Sequence, residues 1–392
     1  MSAALQAAWR GADVTLFERN ERPGRKLLVT GAGHCNLTND GVNPERYACA
    51  DPGWLTRLFT TFGRPELLTM LKEIGVAVYK TSDGWYYPLS NSAQSVADAF
   101  NAALRAAGVN LRTSTRVTGI STDRKGISLR LLSAGAENSE TFSRVIVAAG
   151  GAAYPTLGSR GELFPVLAQL GHGVSPKRPA LAPVLADLGA LRELQGVRLD
   201  VGAAVYDGKQ LLGQSAGNMI FTEWGLNGPA VMDVSHIISA RPGSRLSLSL
   251  NLLHFHQAVF DEMRESKRRS TLPVGVFLEA FFPPKVAAVY LKQARLSEDL
   301  PLKDLTTDTL DRLVNDLRDT RLKINGVRGF EYCQVSAGGV PVSEVDPQRM
   351  ESLRVPGLFL AGETLDVVGP CGGYNLQFAF SSGAAAGIAV GG

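Results

Sequence analysis

The chain has little cysteine, little histidine and little net charge. Four cysteines (Cys35, Cys49, Cys333 and Cys371) and five histidines are spread over 392 residues. No two cysteines stand in C-x-x-C, which excludes the dithiol redox motif and the common zinc ribbons. His254-x-His256 has no acidic ligand set beside it, so no metal centre is expected there. Forty Lys and Arg against 37 Asp and Glu leave a net charge of +3. There is no basic stripe with interleaved aromatics, so nucleic acid is not an expected partner. The densest basic run, Lys267-Arg268-Arg269, follows Glu262 and Glu265 on a helical pattern and reads as a solvated face. No apolar run reaches the length of a membrane span and no basic-then-apolar leader is present, so no membrane partner is expected. Sparse, unpatterned cysteine fits a reducing, cytoplasmic setting. H-E-x-x-H and P-loop patterns are missing as well. The most telling absence is a complete G-x-G-x-x-G.

What is present begins like the second half of a nucleotide-binding βαβ unit. In "MSAALQAAWRGADVTLFERN", small apolar residues predict a helix over 2–10, Gly11 stops it, and residues 14–17 form a strand closed by Glu18. Such a unit needs a first strand and a glycine turn ahead of the helix. The expectation is that this strand and turn, roughly ten to fifteen residues, precede Met1 in the natural protein.

Further along, helical patterns at 54–62, 65–74 and 92–107 alternate with short strands at 76–79 and 85–87. Strands are expected at 109–113, 116–121, 127–132 and 144–149. After about Pro176 the texture becomes that of a small barrel, and residues 254–319 read as helices broken at Pro273, Pro283-Pro284 and Pro301. "GLFLAGE" is a buried strand, and "GGYNLQFAFSSGAAAG" is a glycine turn entering a helix. The expected class is α/β. It has a discontinuous Rossmann-like domain (1–178 and 336–392), a substrate-side β-barrel (179–253 and 320–335) and a helical insert (254–319).

Several stretches carry chemistry. Glu18 ends the second strand of the unit, where a carboxylate accepts hydrogen bonds from an adenosine ribose; it serves equally as a surface carboxylate. "TGAGHCN" imitates a dinucleotide fingerprint, but Asn36 occupies the third glycine position and no helix follows, so it reads as a glycine-rich loop lying close to a ligand. Arg25 and Lys26 just upstream offer charge to a pyrophosphate, or form an ordinary exposed pair. "VIVAAGGAAYP" delivers Gly150-Gly151 at a strand end, as a tight turn or a cofactor contact. "LFLAGETLDVVGPCGGYNLQ" delivers Gly362-Glu363 at the carboxyl end of a buried strand, where open α/β sheets bind ligands. Gly372-Gly373 then lead into a helix near Asn375, whose N-terminus presents free N–H groups and partial positive charge.

Five separated blocks resemble one family. They are "ERPGRKLLVTGAGHCNLTN", "AAGGAAYPTLGSRG", "IFTEWGLNGPAV", "SAGGVPVSEVDPQRMES" and "PGLFLAGETLDVVGPCGGYNLQFAFSSG". They are similar, in order, to the bacterial FAD-dependent oxidoreductases of the BaiN and aminoacetone-oxidase-like type. The resemblance implies an FAD-binding Rossmann-like domain, a small barrel and a helical insert. It implies Glu18 on the AMP ribose, Arg25, Lys26 and Gly33 along the pyrophosphate and flavin side, and Arg116-Val117 touching adenine through the backbone. Gly150, Gly151, Gly362, Glu363, Asn375, Leu376 and Gln377 would surround the ribityl chain and flavin. His34 stands where the family usually has Arg, and Glu223 where it often has His. The implied reaction is hydride transfer through flavin N5, with NAD(P)H as a transient donor and an activated double bond in a small-molecule substrate as acceptor. Oxidation of a small amine or amino-ketone, flavin binding without catalysis, and an N-terminally truncated inactive form are the alternatives. Cys35 and Cys371 are not expected to form a catalytic disulfide, and no feature of the sequence sets the oligomeric state.

Overall fold

The computed structural model describes all 392 residues. The first stretch runs α1 (Ser2–Ala8), β1 (Thr15–Phe17), β2 (Thr38–Asn39), α2 (Pro52–Thr61), α3 (Arg64–Glu73), β3 (Val78–Lys80), β4 (Trp85–Pro88), α4 (Ala93–Ala106) and β5 (Asn110–Arg112). Then come β6 (Thr115–Asp123), β7 (Gly126–Ser133), β8 (Ala136–Phe142), β9 (Val145–Val147), α5 (Phe164–Gln169) and β10 (Ser175–Ala180). The middle holds β11 (Val184–Asp187), β12 (Arg198–Asp207), β13 (Gln210–Thr222), β14 (Gly225–Asn227), α6 (Pro229–Met232), α7 (Ser235–Ser239) and β15 (Leu246–Asn251). It continues with α8 (Gln257–Lys267), α9 (Val274–Glu279), α10 (Pro284–Ala294), α11 (Thr307–Arg318) and β16 (Thr320–Val327). The chain closes with β17 (Val335–Gly339), β18 (Leu358–Leu360) and α12 (Tyr374–Gly391).

Two compact units result, Met1–Pro179 with Phe330–Gly392, and Ala180–Gly329. The first is the α/β unit. Its parallel strands form two separate pairs, β1 with β5 (Thr15 opposite Asn110) and β18 with β9 (Leu358 opposite Val145). The amphipathic helix α4 buries Ala93, Val96, Ala97, Phe100 and Leu104 on one face, and the Ser92 hydroxyl accepts from Ser95 N–H at its start. Helix α12 is small-residued because α1 lies directly on it: a Cβ added to Gly387 would stand 2.2 Å from the Ala3 carbonyl oxygen. The sheets β2-β4-β3 and β6-β7-β8 are antiparallel. Strand β8 is absent from the sequence reading because AENSETF has no apolar alternation; nearly all of it is exposed.

The second unit is a closed barrel in the order β11-β14-β13-β12-β15-β16. Alternate residues of β12, Val201, Ala203 and Val205, point into its core with Phe221, Leu248 and Leu250. The helices α8–α11 share this core rather than forming a body of their own. Phe260 packs on Phe277 and Phe281 with ring centroids 5.3 and 4.9 Å away, within the same apolar cluster as the barrel. Barrel and helices together make one compact unit, since helices this short bury their apolar stripes against one another and against the barrel. No helix in the chain is long and apolar enough to cross a membrane.

Candidate active site

Strands β9 and β18 run parallel and adjacent, so Gly150-Gly151 and Gly362-Glu363 emerge together at their carboxyl ends. Ser336 joins them. Its N–H donates to Glu363 Oε1 at 2.7 Å, and its hydroxyl oxygen accepts from Ala152 N–H at 2.9 Å. A Cβ on Gly151 would lie 2.0 Å from Ser336 Oγ and 3.1 Å from Glu363 Oε1, so only glycine fits there. Lys26 Nζ donates to the other Glu363 oxygen, Oε2, closing an ion pair between residues 337 positions apart. Gly362 donates its N–H to Ser382 Oγ of α12 at 2.9 Å.

Downstream of Lys26 the chain coils tightly. Gly31, Ala32, Gly33 and Cys35 all have positive φ, from 54° to 92°. Ala32 and Cys35 pay a steric cost for this, and such strain gathers where a ligand is held. Burial raises the Cys35 thiol to about 11, against a smaller opposing hydrogen bond with Thr30, so it is no thiolate nucleophile. Cys35 and Cys371 are not bridged.

This coil delivers Asn36 to the start of α12. Gly373, the N-cap, has φ 92° and no side-chain cap. A Cβ there would lie 2.8 Å from both Asn36 Oδ1 and Thr38 Cα. Asn36 is 5% exposed, yet neither its Oδ1 nor its Nδ2 has a hydrogen-bond partner. The buried Thr364 hydroxyl, beside Glu363 in sequence, is likewise unpartnered. Orphaned buried polar atoms are rare and costly, and a bound water, ion or ligand is one way in which they are satisfied. Asn39 Nδ2 donates to the Gly372 carbonyl, and the Trp85 ring lies against Gly372. The first intrahelical bond of α12 runs from Gln377 N–H to Gly373 O, so the N–H groups of Asn375 and Leu376 lie ahead of it.

The remaining expected residues form a third group. Glu18 N–H continues the β1 ladder to Arg112 O, and Glu18 Oε1 accepts from Asn20 N–H at 2.8 Å and Asn20 Nδ2 at 2.7 Å. Arg25 donates to Asn20 Oδ1 at 3.0 Å. Val117 sits at an irregularity in β6, where the register to β7 shifts before Gly119. Asn20, Asn36, Asn39, Trp85, Ser336 and Thr364 were not singled out by sequence reasoning as ligand-facing. The strained run before Asn36, dense in Gly, is the one local signal that could have found any of them.

Two of the expected side chains make hydrogen bonds within the protein. Gln377 is fully buried, accepts from Thr38 Oγ1 at 2.6 Å and donates to Ser381 Oγ at 2.9 Å. Asn375 Oδ1 accepts from Gly369 N–H at 2.8 Å while its Nδ2 donates to Gly369 O at 2.8 Å. Both side chains help to hold the loop and the helix. Leu376 packs among apolar neighbours of the α1–α4 core.

This arrangement has relatives. A family model described as "HI0933-like protein Rossmann domain" matches residues 1–389. The chain belongs to that family. The HI0933-like chain is 33% identical to a 3-dehydro-bile acid delta(4,6)-reductase of Clostridium scindens, covering 99% of this chain and 95% of that protein. It is 30% identical to a ribosomal RNA dihydrouridine synthase of Escherichia coli, covering 97% of this chain and 93% of that one. Among solved structures, it resembles a 3-ketosteroid-delta4-(5alpha)-dehydrogenase from Rhodococcus jostii RHA1 in complex with 4-androstene-3,17-dione. That likeness has a TM-score of 0.50 at 15% identity over 100% of this chain and 94% of that one, and it concerns the fold. The HI0933-like chain is an oxidoreductase of the flavoprotein class, the class its sequence blocks resemble.

Proposed function

We propose that this oxidoreductase holds FAD between the carboxyl ends of β9 and β18 and the N-terminus of α12. In this reading it reduces a carbon–carbon double bond conjugated to a carbonyl, drawing its electrons from NAD(P)H. The residues present fit the cofactor. The observation that carries the reading is the Asn36 amide, buried and unpartnered on both atoms beside the uncapped start of α12. An amide offering both a donor and an acceptor matches the alternating polar edge of a flavin ring. When bound, the flavin supplies hydride transfer through its N5.

The protein's part is positioning and electrostatics. The free N–H groups and positive dipole end of α12 favour negative charge on the edge that faces them. The Lys26–Glu363 pair and Ser336 fix the two glycine turns at the strand ends, and Glu18 with Asn20 and Arg25 offers acceptors and a cation for a ribose and pyrophosphate.

Two relatives of different substrate support this choice of acceptor class. A 3-dehydro-bile acid delta(4,6)-reductase and a dihydrouridine synthase both, by name, concern a ring double bond in conjugation with a carbonyl. We take a small-molecule enone as the first reading. Uridine in RNA is the second, favoured by the E. coli relative and by a 26% identical synthase from Haemophilus influenzae. Anaerobic mixing with NADH or NADPH, followed by an enone or by air, tests the assignment. Bleaching of the flavin band by one nucleotide and its return on adding the enone is expected. Bleaching by neither, with reduction only by amines and return only in air, would establish the oxidase alternative instead.

A further inference from the structure

The three-stranded sheet β2-β4-β3 gathers three aromatic side chains on one face. Alternation along β4 places Trp85 and Tyr87 on one face and Tyr86 on the other. The register puts Tyr79 of β3 opposite Tyr87, and Asn39 of β2 opposite Trp85. Tyr86 is occupied: its hydroxyl donates to Asp40 Oδ1 at 2.8 Å and Arg64 lies over its ring. On the other face the rings lean together. Trp85 and Tyr87 have centroids 6.4 Å apart at 31°, and Tyr87 and Tyr79 6.0 Å apart at 29°. All three are half-buried. The Tyr79 hydroxyl donates to Asn91 Oδ1 at 2.7 Å, whereas the Tyr87 hydroxyl has no partner in the protein.

The row is continuous with the candidate active site at two points. Trp85 Cζ2 lies 3.1 Å from a Cβ built on Gly372, and Tyr87 Cε1 lies 3.7 Å from one built on Gly31. The three rings form an apolar row in which each is inclined by 29–31° to the next, and an unpaired hydroxyl at its centre offers one hydrogen bond. Aromatic platforms of this kind take planar π-systems, because stacking tolerates any ring with a face while the hydroxyl selects an acceptor on its edge.

We propose that Trp85, Tyr87 and Tyr79 form the substrate subsite of this enzyme, stacking a flat, conjugated, carbonyl-bearing ring beside Gly372, with the Tyr87 hydroxyl toward the carbonyl. This rests on the proposed function in naming an enone-type ring as the ligand. It goes further in locating the ring on the β3–β4 hairpin and in giving Trp85 and Tyr87 the part of specificity-determining residues. A fused polycycle and a nucleotide both present such a ring; the shared chemistry is the planar conjugated carbonyl.

The test is calorimetric titration of the purified protein with 4-androstene-3,17-dione and, separately, with uridine 5′-monophosphate. Wild type is compared with Trp85→Ala, Tyr87→Ala and the opposite-face control Tyr86→Phe, with bound flavin followed by absorbance in each. At least one probe is expected to bind wild type. Its affinity should fall roughly ten- to a hundredfold in Trp85→Ala and Tyr87→Ala, and stay unchanged in Tyr86→Phe. Binding of the steroid alone points to a free enone, and of the nucleotide alone to a base in a nucleic acid; both uphold the subsite. Should Trp85→Ala fail to fold, Trp85→Leu and Tyr87→Ala carry the comparison. Affinity unchanged in the variants, or no binding of either probe to folded wild type, overturns the subsite. A protein that binds a probe through Trp85 and Tyr87 yet never takes up flavin would uphold the subsite and overturn the flavin reading.

Discussion

Asn375 holds Gly369 by both of its backbone groups, accepting from the N–H and donating to the carbonyl at 2.8 Å each. The two contacts close the loop that carries Gly372 and Gly373 to the start of α12. Asn375→Ala should therefore release the loop without touching the cofactor directly. The expected cost is about 1–3 kcal/mol of stability from two unpaired groups, together with weaker flavin retention. Thermal denaturation with and without added FAD checks this, and Asn375→Asp, which keeps the acceptor, should fall between the two.

Glu363 connects Lys26 to Ser336 and, through it, to Gly151. In Glu363→Ala the Ser336 N–H and the Lys26 ammonium lose their partner at the strand ends, at a cost on the order of 1–3 kcal/mol. Flavin affinity should drop with it. Glu363→Gln keeps the acceptor for Ser336 and should recover much of the stability but not the ion pair. Flavin binding of normal strength in Glu363→Ala would remove the residue from the site.

Some of this was legible from sequence and some was not. The helix expected at 92–107 appears as Ala93–Ala106, because a Ser cap and an apolar stripe are local signals. Gly151 and Glu363 could be placed at strand ends because buried strands announce themselves by composition. Ser336, which joins them, could not, since a serine in SAGGVP carries no mark of a carboxylate 27 residues away. Gln377 is placed beside the flavin by the family resemblance alone. The residue it holds within the fold, Thr38, lies 339 residues away on a two-residue strand and leaves no trace in the local pattern. The aromatic face of β4 was read as a short strand only, since alternation alone does not say which face meets a site.

Glu162 gives a pH signature. Burial pushes its carboxyl up, but hydrogen bonds from Arg19 at 2.6 Å and from Arg160 N–H at 2.8 Å outweigh that and hold it at about 2, below its ordinary 4.5. A depressed carboxylate contributes stability in full above its unfolded value and loses it as pH falls toward the folded one. The melting-temperature gap between wild type and Glu162→Gln should thus be constant above about pH 4.5 and shrink as the pH is lowered from there toward 2. A gap that widens on acidification would contradict the assignment.

The central claim is that FAD is held at the start of α12, where the Asn36 amide waits unpartnered against Gly373. The most direct measurement is equilibrium titration of the folded protein with FAD, followed by flavin absorbance and by release and mass identification of what is bound. The account predicts saturable uptake of FAD in preference to FMN. That uptake should weaken in Asn36→Ala, which removes the unpartnered amide without adding bulk, while circular dichroism of the variant stays native. Folded wild-type protein that takes up no FAD, or an Asn36→Ala variant that binds it as tightly as wild type, would contradict the account.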